Sequence, residues 1–402
     1  MKQIWQYCKI IIISLIFFLY LGEYYLTFIV FDGGSQNNKD LRSKIELYKK
    51  KTNKEYDTRS KVDVFRQLVK SDSNVSVTLQ PAHKTGKDFL YLSGISNSRT
   101  VDCNENGYYS TFLSDRFGFN NDDKEWDSKN FEFVITGDSL ALGSCVNRPD
   151  NISSILKSLS GKSVLNLGYV GNGPLSEYAA LVEYLPKNVK NILWIYTEHT
   201  DLVDLISELK NENLKKYIIN ESFFSNLKLK QNSIDENHKK NIKQALIDIN
   251  ENKEYWDSYY SKKKVLLRFL RLNKLKNFVK SLNSRKKQSD EKIDDLAIKN
   301  LEKILILTKK LALNNNSNLY FVFVGSYYRY KSVIFSDKEY LENYKKIIKI
   351  VEQLEIPVIN LHEDFFLRQK KPLEYYPFKK YGHFTEEGYK KITEFIYNKV
   401  SK

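Results

Sequence analysis

Apolar residues along the chain fall into three regimes. From Ile10 to Gly22 they run without a charge, and the wider apolar stretch to Val30 is broken only by Glu23. From about 33 to 70 they recur at helical spacing in a polar background, as at Leu41, Ile45 and Tyr48. From about 127 onward, short runs rich in β-branched and aromatic residues alternate with helix-period segments. The runs Phe131–Thr136, Ser163–Leu167, Asn191–Tyr196, Leu319–Val324 and Pro357–Leu361 are predicted strands. Strands alternating with helices predict an α/β fold, a three-layer αβα sandwich around a five-stranded parallel sheet. Such sheets place their sites at the carboxyl ends of the strands.

Between these regimes the pattern is less regular. Residues 71–125 hold short extended runs, Val75–Leu79 and Phe89–Leu92, and turn residues such as Asn106-Gly107. We read three parts: an N-terminal anchor over 1–32, a stalk and N-terminal extension over 33–126, and an α/β domain over 127–402. A lysine-rich, mostly helical insertion interrupts that domain at about 205–294. Within it, Val265–Lys280 is a basic amphipathic helix. Its apolar face has three destinations: the bilayer surface, a lid, or the sheet domain itself.

About twenty apolar residues cross a hydrocarbon core, so the N-terminal stretch is long enough, with Glu23 the residue that strains the reading. Lys2 and Lys9 flank its front and place the N-terminus in the cytoplasm, with the bulk of the chain outside. Glu23-Tyr-Tyr-Leu26 stands where a small-x-small cleavage site would follow, so an uncleaved single-pass anchor is expected.

The 402 residues carry a formal charge of +15, but the lysines are scattered among asparagines and isoleucines. No basic stripe interleaves with aromatics, which argues against nucleic acid as a partner. The charge suits an anionic lipid surface or an acidic glycan. Cys8 lies at the membrane edge, while Cys103 and Cys145 fall in the exported part, where a disulfide would persist. They are read either as a bridge clamping the N-terminal segment beside the site or as two buried thiols.

Candidate chemistry gathers at the predicted strand ends. Ser139, in Gly137-Asp-Ser139, follows the first strand of the α/β domain and is a candidate nucleophile. The second strand empties into Gly168-Tyr-Val-Gly171-Asn-Gly173, where glycine lets a backbone N–H approach a substrate oxygen. The third ends in Glu198-His-Thr200-Asp201, and His383 precedes a helix starting near Thr385. His199 is placed at the pocket or the surface, His362 in a loop, and His83 and His238 in solvent. No His or Cys pair shows metal spacing, and no Gly-Lys-Ser/Thr follows Gly137–Gly143, so neither a metal nor a cofactor is expected.

Taken together, these segments resemble the SGNH/GDSL hydrolase superfamily over roughly residues 127–402, excluding the insertion. The Asn166–Pro174 loop, the Glu198–Asp204 block and the Gly382–Tyr389 ending resemble membrane-anchored SGNH-like proteins of bacterial envelope polysaccharide systems. The resemblance implies Ser139 as nucleophile and first oxyanion donor, Gly171 as second donor and His383 as general base. It implies an ester hydrolase or O-acyltransferase acting on acyl esters, in particular O-acetyl groups of an envelope or exported glycan. The location it implies is the bacterial inner membrane, with the main domain periplasmic or extracellular and polysaccharide-assembly proteins as further partners. Two positions depart from the family. Thr200 stands where an asparagine is the third oxyanion donor, and Lys380 stands where the acid precedes the histidine. Glu198, Asp201, Asp364 and Glu374 are the carboxylates considered in its place. The alternative is a catalytically degenerate glycan-binding or scaffold protein at the membrane.

Overall fold

A computed structural model describes residues 2–26, 33–81, 90–259, 262–284, 290–331, 338–380 and 382–401. His83 and Phe89 lie outside them. The chain divides into two compact units: Met1–Glu55 with Lys243–Asp290, and Tyr56–Ile242 with Glu291–Lys402.

The larger unit is built on a five-stranded, all-parallel sheet. Its strands are β4 (Phe131–Gly137), β5 (Val164–Asn166), β6 (Val189–Thr197), β7 (Asn318–Val324) and β8 (Val358–Asn360), in the order β5-β4-β6-β7-β8. Each of the five predicted strands of the α/β domain coincides with one of these. The central strands are apolar on both faces because helices cover both. Val134, Ile192, Trp194, Phe321 and Phe323 enter one core, and Phe133, Ile135, Leu193, Ile195 and Val322 the other. Helix Pro174–Tyr184 packs on the first face and helix Glu386–Val400 on the second. Chain order reverses on either side of β4, so the carboxyl end of β4 lies at the switch point where doubly wound sheets open a crevice. Ser139 stands there.

The extension carries a small sheet of β1 (Val75–Val77), β2 (Arg99–Val101) and β3 (Thr111–Leu113), with β1–β2 parallel and β2–β3 antiparallel. The run around Tyr91 and Leu92 is not a strand, but both side chains are buried in the core. His238, expected in solvent, is buried instead: Nε2 lies 2.8 Å from the Ser93 carbonyl and the ring meets Tyr91.

In the smaller unit, helix Lys2–Tyr24 is followed by helix Gly33–Thr52, which covers the predicted periodicity at Leu41, Ile45 and Tyr48. Gln3–Tyr24 is long and apolar enough to cross a membrane. Helices Lys262–Leu270 and Asn273–Ser284 cover the basic amphipathic segment and pack with helix Lys2–Tyr24.

Candidate active site

The site is assembled from the end of β4, the loop before helix Glu386–Val400, and a segment of the extension. Gly137 has φ +151°, and a Cβ there would lie 2.7 Å from Ala141 Cβ and 2.8 Å from the Ile195 carbonyl. Only a residue without a side chain lets β4 turn so sharply into helix Ser139–Leu142. Asp138 caps that short helix, its Oδ1 accepting the Leu140 N–H at 2.8 Å. Ser139, half-buried, is left with its hydroxyl facing His383. Ser139 Oγ and His383 Nε2 are 2.8 Å apart.

The other ring nitrogen of His383 meets a carboxylate that sequence reasoning did not consider. Glu105 Oε2 lies 3.2 Å from Nδ1 and also accepts the His383 backbone N–H. A carboxylate on Nδ1 holds the imidazole with Nε2 free to accept the serine proton. Gly382 makes room for it. At φ +149° a Cβ there would lie 2.2 Å from Glu105 Oε2, inside the carboxylate.

Several bonds lash residues 102–108 onto the site. Cys103 and Cys145 are joined in a disulfide with Cα atoms 4.9 Å apart. Asp102 Oδ2 accepts the Cys145 N–H at 3.1 Å. Asn106 Nδ2 donates to the carbonyls of Cys145 at 3.0 Å and Phe384 at 3.3 Å, and Tyr108 donates to Glu386 at 2.6 Å. Cys103, Cys145 and His383 offer ligand atoms within 4.8 Å of one another. The two sulfurs are bonded to each other, however, and the ring faces Glu105, so the cluster offers no thiolate to a metal.

The other predicted residues have different surroundings. Glu198, buried, pairs with Arg329 (Nε to Oε2 at 2.6 Å) and accepts the Ser326 N–H. Asp201, fully buried, accepts the Thr197 N–H at 2.8 Å. Asp364 pairs with Arg368 and Lys399, and Glu374 with Lys371 and Lys379. None of these four is the partner of His383 Nδ1, so they are replaced in that position by Glu105. Thr200 Oγ1 lies 3.1 Å from Asp138 Oδ2 and 3.3 Å from Asp201 Oδ1, so its single proton is directed at a carboxylate. Gly171 sits in the loop after β5 at φ +71°. His199 is half-buried with its ring 5.5 Å from Tyr328, and His362 Nδ1 lies 3.2 Å from the Tyr330 hydroxyl.

Electrostatics separate these groups by role. Burial pulls the His383 pKa down, but the hydrogen bond and charge of Glu105 outweigh it, so the value ends above the ordinary 6.5. Burial pushes Asp138 up, opposed by the Leu140 amide, the His383 charge and the Thr200 hydroxyl. Burial, then the neighbouring Asp138, pushes Asp201 well up as well. Glu208 is raised by burial to about 7 while accepting the amides of Gly173, Leu175 and Ser176 at the start of helix Pro174–Tyr184. That makes it a clamp on the glycine loop.

The arrangement sets a serine, a histidine and a carboxylate in line at the switch point of a doubly wound parallel sheet. Among solved structures, the chain is similar to a protein described as lipolytic, of the G-D-S-L family, from Desulfitobacterium hafniense DCB-2. The two share 13% identity over 67% of this chain and 99% of that one, with a TM-score of 0.32. It is also similar to a mutant of the esterase AlinE4, at 11% identity over 68% and 96% of the two chains, TM-score 0.29. No family model matches the sequence, and no curated protein does. At this degree of overlap, the reading of the site rests on its own geometry.

Proposed function

We propose that the chain is a serine ester hydrolase or O-acyltransferase of the SGNH type. The observation that carries this is the line Ser139 Oγ–His383 Nε2–His383 Nδ1–Glu105 Oε2, with contacts of 2.8 and 3.2 Å. In this reading His383 takes the Ser139 proton as Oγ attacks the ester carbonyl, and Glu105 stabilises the imidazolium that forms. The imidazolium returns the proton to the leaving alkoxide, and an acyl-serine remains. Water or a second hydroxyl, deprotonated by His383, then releases the acyl group. The N–H groups of Ser139 and Gly171 are the proposed oxyanion donors.

The case for a degenerate binding module rested on Lys380 standing where the acid was expected. Glu105, whose carboxylate lies 3.2 Å from His383 Nδ1, supports the catalytic reading instead. We further propose that the substrate is an O-acetylated glycan and that helix Lys2–Tyr24 anchors the chain in a membrane. The sequence resemblance supports the first, and the length and apolarity of the helix the second.

The test uses the full chain in detergent with a fluorophosphonate probe and p-nitrophenyl acetate, beside Ser139→Ala and His383→Ala. Labelling and acetate release by the wild type, lost in both variants, are the expected results. A folded wild type that neither labels nor turns over would refute the hydrolase reading. Acetate release from an acetylated glycan, compared with transfer to an added glycan acceptor, separates hydrolase from transferase.

A further inference from the structure

Glu23 is the one charge in the apolar stretch Ile10–Val30, yet its side chain is fully buried within the smaller unit. Both carboxylate oxygens are engaged. Oε1 accepts the Lys274 N–H at 3.0 Å and Oε2 the Leu275 N–H at 2.7 Å. These amides belong to the first turn of helix Asn273–Ser284, where no intrahelical acceptor exists, so Glu23 caps that helix and faces the positive end of its dipole. One turn earlier, Tyr20 donates to the carbonyl of Leu270, the last residue of helix Lys262–Leu270, and its ring lies 5.7 Å from Phe269. The turn between the two basic helices is thereby pinned to the end of the apolar helix.

This attachment sets their depth. Gln3–Tyr24 makes about 33 Å of helix at 1.5 Å per residue, enough for a core of about 30 Å. Glu23 then falls at the boundary between hydrocarbon and headgroups, and the pinned turn falls there with it. Residues 262–284 carry eight Lys or Arg and no Asp or Glu. Leu275, Phe278 and Val279 recur at helical spacing along one side, with Lys276 and Lys280 on another. Leu266, Leu267, Leu270 and Val279 are exposed, although large apolar side chains at helical spacing ordinarily mark a covered face.

We propose that helices Lys262–Leu270 and Asn273–Ser284 form an interfacial element lying in the headgroup layer of the bilayer that helix Lys2–Tyr24 crosses. Its apolar side chains enter the acyl boundary, and its lysines and arginines bind anionic phospholipid headgroups. The inference rests on the membrane-span reading and is independent of ester hydrolysis.

The test places single cysteines in the full chain carrying Cys8→Ser, labels them with an environment-sensitive fluorophore, and reconstitutes the protein in nanodiscs. The discs are of phosphatidylcholine alone or mixed with phosphatidylglycerol, each with and without spin-labelled quencher lipids. In the mixed discs, the label at Phe278→Cys should be blue-shifted and quenched by shallow spin labels, while that at Lys276→Cys stays water-like. Val279→Cys repeats the measurement should the Phe278 variant misfold. Quenching at 278 should fall severalfold in phosphatidylcholine alone and in Lys276→Gln/Lys280→Gln. A label at Leu15→Cys reports the span in the same discs. A water-like label at 278 with a buried label at 15 would overturn the interfacial element alone, and water-like labels at both would overturn the span with it. Equal quenching in the two lipid mixtures would overturn the anionic preference.

Discussion

Replacing Glu105 by Gln is the sharpest perturbation of the proposed relay, because it keeps the side-chain volume and removes the charge. Wild-type Glu105 serves two donors of His383, the ring Nδ1–H and the backbone N–H. Glutamine leaves one neutral carbonyl for both. A hydrogen bond to a charged group contributes about 1.5–3 kcal/mol, and the 31% exposure of the Glu105 side chain argues for the lower part of that range. Two such bonds at about 1.5–2 kcal/mol each give a loss of roughly 10²–10³ in kcat/KM. That is less than the roughly 10⁴ seen when a fully buried triad acid is neutralised. The pH profile supplies an independent readout. His383 must be neutral to act as a base, and Glu105 raises its pKa, so wild-type activity should rise with pH through a value above 6.5. Without the Glu105 charge, burial dominates and the acid limb should move to lower pH. The measurement is p-nitrophenyl acetate hydrolysis from about pH 5 to 9 on variants with unchanged circular dichroism. A loss under about threefold with an unmoved acid limb would show that Glu105 neither orients nor charges the imidazole.

Three further outcomes follow from the same geometry. Cys103→Ser/Cys145→Ser opens a loop closed across 42 residues and should cost about 2–4 kcal/mol in urea or thermal unfolding. It should also lower kcat through Glu105, and activity insensitive to the loss would separate the bridge from the site. Gly382→Ala drives a Cβ into the Glu105 carboxylate, so it should lose as much kcat/KM as Glu105→Gln, and the double variant no more than either. Additive losses would mean that Gly382 acts elsewhere. Thr200→Val should lower kcat less than about tenfold, because the hydroxyl proton is already directed at Asp138. A loss of about 10²–10³ would instead mark Thr200 as a working oxyanion donor.

The sheet was legible because its strands are buried on both faces. Each of β4 to β8 reads as a short apolar run, and the intervening helices force a parallel arrangement. Ser139 was legible for a related reason, since it follows the first strand of the sheet and strand ends at a switch point are where reactive groups collect, whereas His383 was marked by its place before the last helix and by the family resemblance. His238 was misplaced because its sequence neighbours are polar. A signal was nonetheless present: Ile234, His238 and Ile242 recur every four residues, and all three are buried on the inner side of one helix.

Glu105 was the harder case. It lies in a polar turn with no periodicity, 278 residues before the histidine it serves, and nothing local distinguishes it from a solvated glutamate. The informative pattern was a conjunction. A bridge from Cys103 to Cys145 brings residue 103 beside the Ser139 loop, and the carboxylate two residues further along is then within reach of the histidine. Lys380 is a second sign, because an imidazole ordered next to a serine needs an acceptor on its other nitrogen, and a lysine cannot be one. The acid position within the sheet domain can therefore be vacated once the extension supplies a carboxylate. The disulfide, the Asp102 and Asn106 bonds and the open Cβ position of Gly382 are the structural conditions that let it do so.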